Sequence, residues 1–263
     1  MRAVDVRLAG LVVAAAALAA AAPAFAANPV SSSAYALYAK VASQGTGTSL
    51  PPVAAVAGTS VAKFDKRANV PYVSEALGLV SAGKLIGEVT VTAAGVLTHA
   101  SSSGAAGATV TAEADTSIGS LQMVIELLPP PGSTQPPGAP LMTLSASKLV
   151  TALSDTRTLP WVGALTGTAS FGSLIIGGSL FGATPLSFSG AAPANTVLYD
   201  DRYITVTLNK QLVTGTVDCT PECQFIPASM DADGLSVYIN GAKVQGTSFF
   251  ADLLVGNAAV QIP

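Results

Sequence analysis

Hydrophobic and polar positions alternate along most of this chain. From Lys84, residues Leu85, Gly87, Val89 and Val91 hold one phase, and Ile86, Glu88, Thr90 and Thr92 hold the other. Val110, Ala112 and Ala114 alternate with Thr111, Glu113 and Asp115. A two-residue period is that of strands with one buried face. The same pattern predicts a first strand through Tyr35, Leu37, Ala39 and Val41, a further one over Gln122–Leu128, and another over Asp201–Asn209. Leu235–Ile239 and Ala242–Gln245 flank Asn240-Gly241. That dipeptide is preferred in two-residue hairpins because both positions need φ > 0, so a hairpin turn is predicted there. Leu253–Gly256 and Ala258–Ile262 read as a final strand pair. Only Pro71–Val80, apolar at Val73, Ala76, Leu77 and Val80, has helical spacing.

Breakers divide these runs. The stretch 129–140 is a Pro-rich loop, since proline removes ladder donors. A weak repeat spans it: Leu97-Thr98-His99-Ala100 precedes Gly119-Ser120-Leu121, as Leu149-Val150-Thr151-Ala152 precedes Gly172-Ser173-Leu174. Two copies suggest two equivalent strand–loop–strand units.

Residues 1–26 depart from the alternation. A short charged start (Arg2, Asp5, Arg7) leads into an Ala/Leu/Val run and ends Ala24-Phe25-Ala26, the pattern of a cleaved secretory signal. Its removal leaves 263 − 26 = 237 residues, expected to form a single β-rich domain over 27–263. The full chain has 12 basic and 15 acidic residues, and the signal takes two and one of them, so the mature charge is 10 − 14 = −4. With no basic cluster beyond Lys63–Arg67, nucleic acid is not an expected partner. No later apolar run is long and pure enough for a membrane-spanning helix; Gly172–Phe181 comes nearest and is interrupted by Gly and Ser. Secretion or display on the cell surface is the expected location.

Reactive side chains are scarce. Cys219 and Cys223 lie in Asp218-Cys219-Thr220-Pro221-Glu222-Cys223, and in an oxidising compartment the expectation is a disulfide pinning a hairpin tip. A redox pair usually has two intervening residues rather than three, and zinc would need two more ligands than one histidine can supply. His99 is the only histidine, the pattern G-x-S-x-G is absent, and Asp115-Thr116-Ser117 and Asp155-Thr156-Arg157 lack the glycine of an aspartic-protease motif. Gly78–Lys84 matches the start of a phosphate-binding loop, but Leu85 stands where Ser or Thr would hold Mg²⁺. Asp231-Ala232-Asp233-Gly234 reads as an acidic turn, with a weak calcium site, joined by Asp200 and Asp201, as the functional alternative. Trp161 is the only tryptophan and reads as packing rather than a sugar platform. No catalytic, cofactor-binding or metal residue is therefore assigned, and no cofactor is expected.

Several stretches, in order, resemble the choice-of-anchor P family of exported bacterial surface proteins: Ser33–Leu37, Gly95-Val96-Leu97 through Gly119-Ser120-Leu121, Ser147–Ala152 with Gly172-Ser173-Leu174, Pro193-Ala194-Asn195, Val206–Gln211 and Leu235–Ile239. The resemblance implies an exported β-rich protein and brings no catalytic residues. The chain departs from the family in having no recognisable terminal anchor and in its Cys219/Cys223 segment.

Together these features predict an all-β fold, mainly an antiparallel β-sandwich, with a short β-solenoid as the alternative. The expected function is that of a non-enzymatic exported surface or secreted protein with a structural or adhesive role. Its expected partners are itself or extracellular polymers. An extracellular or periplasmic enzyme acting on polysaccharide is the alternative.

Overall fold

The computed structural model describes residues 29–43, 46–60, 63–81, 84–104, 109–129, 138–158, 162–218, 224–244 and 247–262. The signal segment 1–26, Trp161, the Cys219/Cys223 pair and most of the Pro-rich loop lie outside the described residues. In chain order the strands are β1 (Val30–Ser43), β2 (Thr46–Val53), β3 (Val56–Ser60), β4 (Phe64–Ser81), β5 (Lys84–Ser103), β6 (Val110–Leu127), β7 (Met142–Thr158), β8 (Val162–Gly177), β9 (Leu186–Ala192), β10 (Thr196–Asp200), β11 (Ile204–Asp218), β12 (Gln224–Val244) and β13 (Thr247–Gln261).

The fold is all-β and antiparallel, in two sheets that do not close into a barrel. The first has the order β10-β11-β12-β13-β1, with β2 and β3 sharing the far edge of β1. The second is the meander β4-β5-β6-β7-β8-β9. Inward side chains of the two sheets pack face to face, as in a sandwich.

One feature organises every long strand. In the second sheet the pairing skips a row formed by Pro71, Gly95, Gly119, Lys148 and Gly172. In the first sheet it skips Ala36, Gly256, Gly234 and Asn209. Within each row, alternate strands have positive φ: Gly95 at 64° and Lys148 at 48°, Gly256 at 66° and Asn209 at 48°. The buried phase of each strand changes at the row. Val89, Val91 and Ala93 face inward before Gly95, and Val96, Thr98 and Ala100 after it. Phe249, Ala251, Leu253 and Val255 face inward before Gly256, and Ala258 and Val260 after it. A one-residue change of phase moves side chains to the opposite face, so the row lets strands of 14 to 21 residues stay buried on one side along their length.

The row also divides the core. On one side lies a large apolar cluster that includes Leu37, Met123, Leu144, Leu174, Val237 and Leu253. On the other is a smaller one of Val30, Ala34, Ala112, Ala114, Leu153, Met230, Ala232 and Val260. Thr116, fully buried, donates from the second sheet to the Asn257 carbonyl of the first (2.9 Å), so a backbone group beside the skipped row is satisfied across the core.

Four local expectations are corrected. Pro71–Val80 is part of strand β4 rather than a helix; β4 is an edge strand, where a proline costs no ladder bond. Asn240-Gly241 is not the hairpin turn. β12 continues to Val244, and Gly241 (φ 74°) occupies an irregularity between Asn240 and Ala242. Leu253–Gly256 and Ala258–Ile262 are not a strand pair: β13 runs through Gly256 to Gln261 as one strand. Asp231–Gly234 is the middle of β12 rather than a turn.

Candidate functional site

The outer face of the second sheet is split by charge. On β4, β5 and β6 it presents Asp65, Arg67, Glu88, His99, Glu113, Asp115 and Glu126. On β7, β8 and β9 the outward positions are mainly hydroxyls: Thr143, Ser145, Ser147, Ser154 and Thr156; Thr166, Thr168, Ser170 and Ser173; Ser187 and Ser189. Lys148 is the one charged residue exposed on these three strands among the described residues. Val150 and Ile175 stand exposed among the hydroxyls. The ladder fixes the backbone beneath these short side chains, and Ser147 and Ser173 are hydrogen-bonded across it (2.9 Å). Where β8 and β9 lose register between Phe171 and Leu174, a depression of about 460 Å³ opens, lined by Ser173, Leu174, Ile175, Ser187, Phe188 and Ser189. Phe188 is fixed there by an edge-to-face contact with Phe171, centroids 5.7 Å apart.

The outer face of the first sheet carries a polar row. Tyr35, Asn257, Asp233 and Lys210 are aligned across β1, β13, β12 and β11. Asn257 Nδ2 donates to Asp231 Oδ1 (2.7 Å) and to Asp233 Oδ1 (2.9 Å). Asp233 is 8% exposed, and desolvation pushes its carboxyl up to about 7. Burial also raises Asp231 and Asp252, and it raises the Tyr35 phenol, to which the neighbouring carboxylates add. Lys210 opposes these carboxyl shifts and reaches Ser236 Oγ at 3.5 Å. The row can hold a proton on Asp233 near neutrality. The acidic pair was visible in the sequence; Asn257, Lys210 and Tyr35 were not, because only strand pairing brings them to it.

Asp200 and Asp201, offered as further ligands in the calcium alternative, do not join Asp231 and Asp233. Asp201 instead accepts from the backbone N–H of Tyr203 and Ile204 (both 2.7 Å), which holds its carboxyl below the usual range and shapes the turn into β11. Among the described residues no group of three or more His, Cys, Asp or Glu side chains is placed to hold a metal.

His99 lies within strand β5, four residues before its end at Ser103. Its Nδ1 is 2.8 Å from Asp115 Oδ2, and its Nε2 is 3.2 Å from Asp65 Oδ1 without hydrogen-bond geometry. Arg67 holds the Asp65 carboxyl below its ordinary value, with His99 adding to the effect. The group is a polar network around the exposed Arg67–Asp65 ion pair. Asp155 and Arg157 form a second pair, buried between the sheets, with three N···O contacts of 2.7 to 3.1 Å. Their charges are matched to each other and directed into the core rather than toward a ligand. No family model, curated protein or solved structure matches the chain.

Proposed function

We propose that the chain is a non-enzymatic exported protein, secreted or held at the cell surface, with a structural or adhesive role, as its resemblance to the choice-of-anchor P proteins implies. The observation that carries this reading is the hydroxyl face of β7–β9, uncharged apart from Lys148. A nearly neutral sheet face of short hydroxyls and methyls suits a neutral extracellular polymer better than an ionic partner. It offers many short hydrogen-bonding groups whose order costs little further side-chain entropy. The leader 1–26 supports export, and the Cys219/Cys223 pair suits an oxidising compartment.

The test is co-sedimentation of the signal-cleaved protein with insoluble neutral polysaccharides at low salt and at about 1 M salt. Binding that survives high salt is expected. Failure to bind any neutral polymer, or binding lost with salt, overturns the proposal. The polysaccharide-acting enzyme remains a second reading because Asp231 and Asp233 share Asn257 and Asp233 can carry a proton near pH 7. Release of soluble sugars by the protein, abolished in Asp233→Asn, would establish it; no release from a glycan panel sinks it.

A further inference from the structure

Lys148 sits inside strand β7 with a φ of 48°. At the other positive-φ positions of the skipped rows the chain has Gly95, Gly256 and Asn209. Glycine adopts that conformation freely and asparagine tolerates it, whereas a lysine is strained by it. The remaining non-glycine cases among the described residues are Asn195 and Ala54, and Ala54 lies in the turn between β2 and β3. Lys148 is thus the one long charged side chain kept in this conformation. It is also the one charged residue exposed on β7, β8 and β9 among the described residues. A strained residue standing where glycine fits points to a use for its side chain.

The neighbours of Lys148 place it. A Cβ added to Gly172 would meet the Lys148 Cβ at 3.1 Å, and Gly172 precedes Ser173. Ser147, the residue before Lys148, is hydrogen-bonded to Ser173. Ser173 lines the depression of about 460 Å³ beside β9, whose lining residues are all uncharged. Lys148 therefore stands at the rim of that depression. The ion pairs among the described residues do not include it, so its ammonium can meet an anion from outside. A single ammonium acts as a point charge and matches a single negative charge. A carboxylate suits it better than a phosphate monoester, which carries about 1.5–2 charges near neutrality. We infer, on the reading of this face as a polymer contact, that Lys148 is a specificity-determining residue: it pairs with the carboxylate of an acidic sugar unit in an otherwise neutral polysaccharide, with that sugar over the uncharged depression. The chain as a whole carries a charge of −3, so a preference for carboxylate would not come from its net charge.

The test sets insoluble neutral polysaccharides against the same materials carrying carboxylates at a small fraction of their primary alcohols. The signal-cleaved protein is co-sedimented with each, and the readout is the ratio of the two affinities. At low salt the carboxylated form is expected to bind about two- to fivefold more tightly, the range of one exposed ion pair, and the ratio to fall towards one at about 1 M salt. Lys148→Gly, which relieves the backbone, should bring the low-salt ratio to one or below, and Lys148→Arg should keep it. Lys66→Gln removes an equal charge from the exposed part of β4 and is the control that leaves the ratio unchanged. A wild-type ratio of one or less, a wild-type ratio retained in Lys148→Gly, or an equal fall in Lys66→Gln overturns the inference and leaves the polymer-contact reading standing. Sedimentation with neither form overturns that reading, and the inference with it.

Discussion

Replacing Asp233 by Asn tests whether the polar row of the first sheet is as desolvated as its geometry requires. The substitution keeps shape, and the Asn oxygen can still accept from Asn257 Nδ2. It removes only the titration. The Asp233 carboxyl has an ordinary value of 3.8 and stands at about 7 in the folded chain. The folded protein therefore binds more protons than the unfolded chain between about pH 4 and pH 7, and stability falls as pH rises through that window. At 1.36 kcal/mol for each unit, the ceiling on the loss is about 4 kcal/mol. Asp231 and Asp252 slope the same way, and Asp65 and Asp201, both lowered, slope the opposite way. The difference between wild type and variant isolates Asp233. Urea unfolding at a series of pH values should show the two proteins close together near pH 4, and Asp233→Asn more stable by about 2–4 kcal/mol near pH 8. Parallel stability curves, with no gap opening as pH rises, would refute the reasoning.

Gly256→Ala should destabilise by about 2–4 kcal/mol in the same unfolding assay, since a Cβ there lies 2.6 Å from Leu149 Cδ2 and 2.7 Å from Thr151 Oγ1 on a backbone with φ of 66°. Lys148→Gly, at the matching position of the other sheet, should leave thermal stability unchanged or raise it by about 1 kcal/mol, because Lys148 holds a φ of 48° that glycine adopts freely. Arg157→Ala should cost about 3–5 kcal/mol by stranding the buried Asp155 carboxylate, whereas Asp155→Leu with Arg157→Met should recover most of that loss. Reduced stability in the double variant equal to that of Arg157→Ala would contradict the assignment of the loss to an unpaired charge.

The strand period was legible in the sequence, and with it the all-β class and the two-sheet architecture. The length and continuity of individual strands were not. Each long strand changes its buried phase once, at Gly95, Gly119, Lys148, Gly234 or Gly256 and their neighbours. Read locally, such a change resembles a strand end. It split β13 into two apparent strands at Gly256; the helical spacing over Val73–Val80 instead comes from apolar Ala76 and Val80 on the outward phase of the edge strand β4. Asn240-Gly241 misled for a related reason: positive φ at a glycine serves an irregularity inside a ladder as well as a turn. The hydroxyl face was present in the composition as an excess of Ser and Thr, but its separation from the charged half depends on which strands are neighbours. The polar row is the same case, since Tyr35 and Asn257 are adjacent only through the pairing of the first and last strands.

The central claim is that the nearly neutral half of the second sheet is the contact surface. It is tested most directly by placing charge on that half alone. Ser145 and Thr168 are exposed on β7 and β8; Thr111 and Glu113 lie on β6, in the charged half. Co-sedimentation with an insoluble neutral polysaccharide should be lost in Ser145→Lys with Thr168→Lys and retained in Thr111→Lys with Glu113→Lys, both folded as judged by circular dichroism. Equal retention by the two double variants would contradict the account.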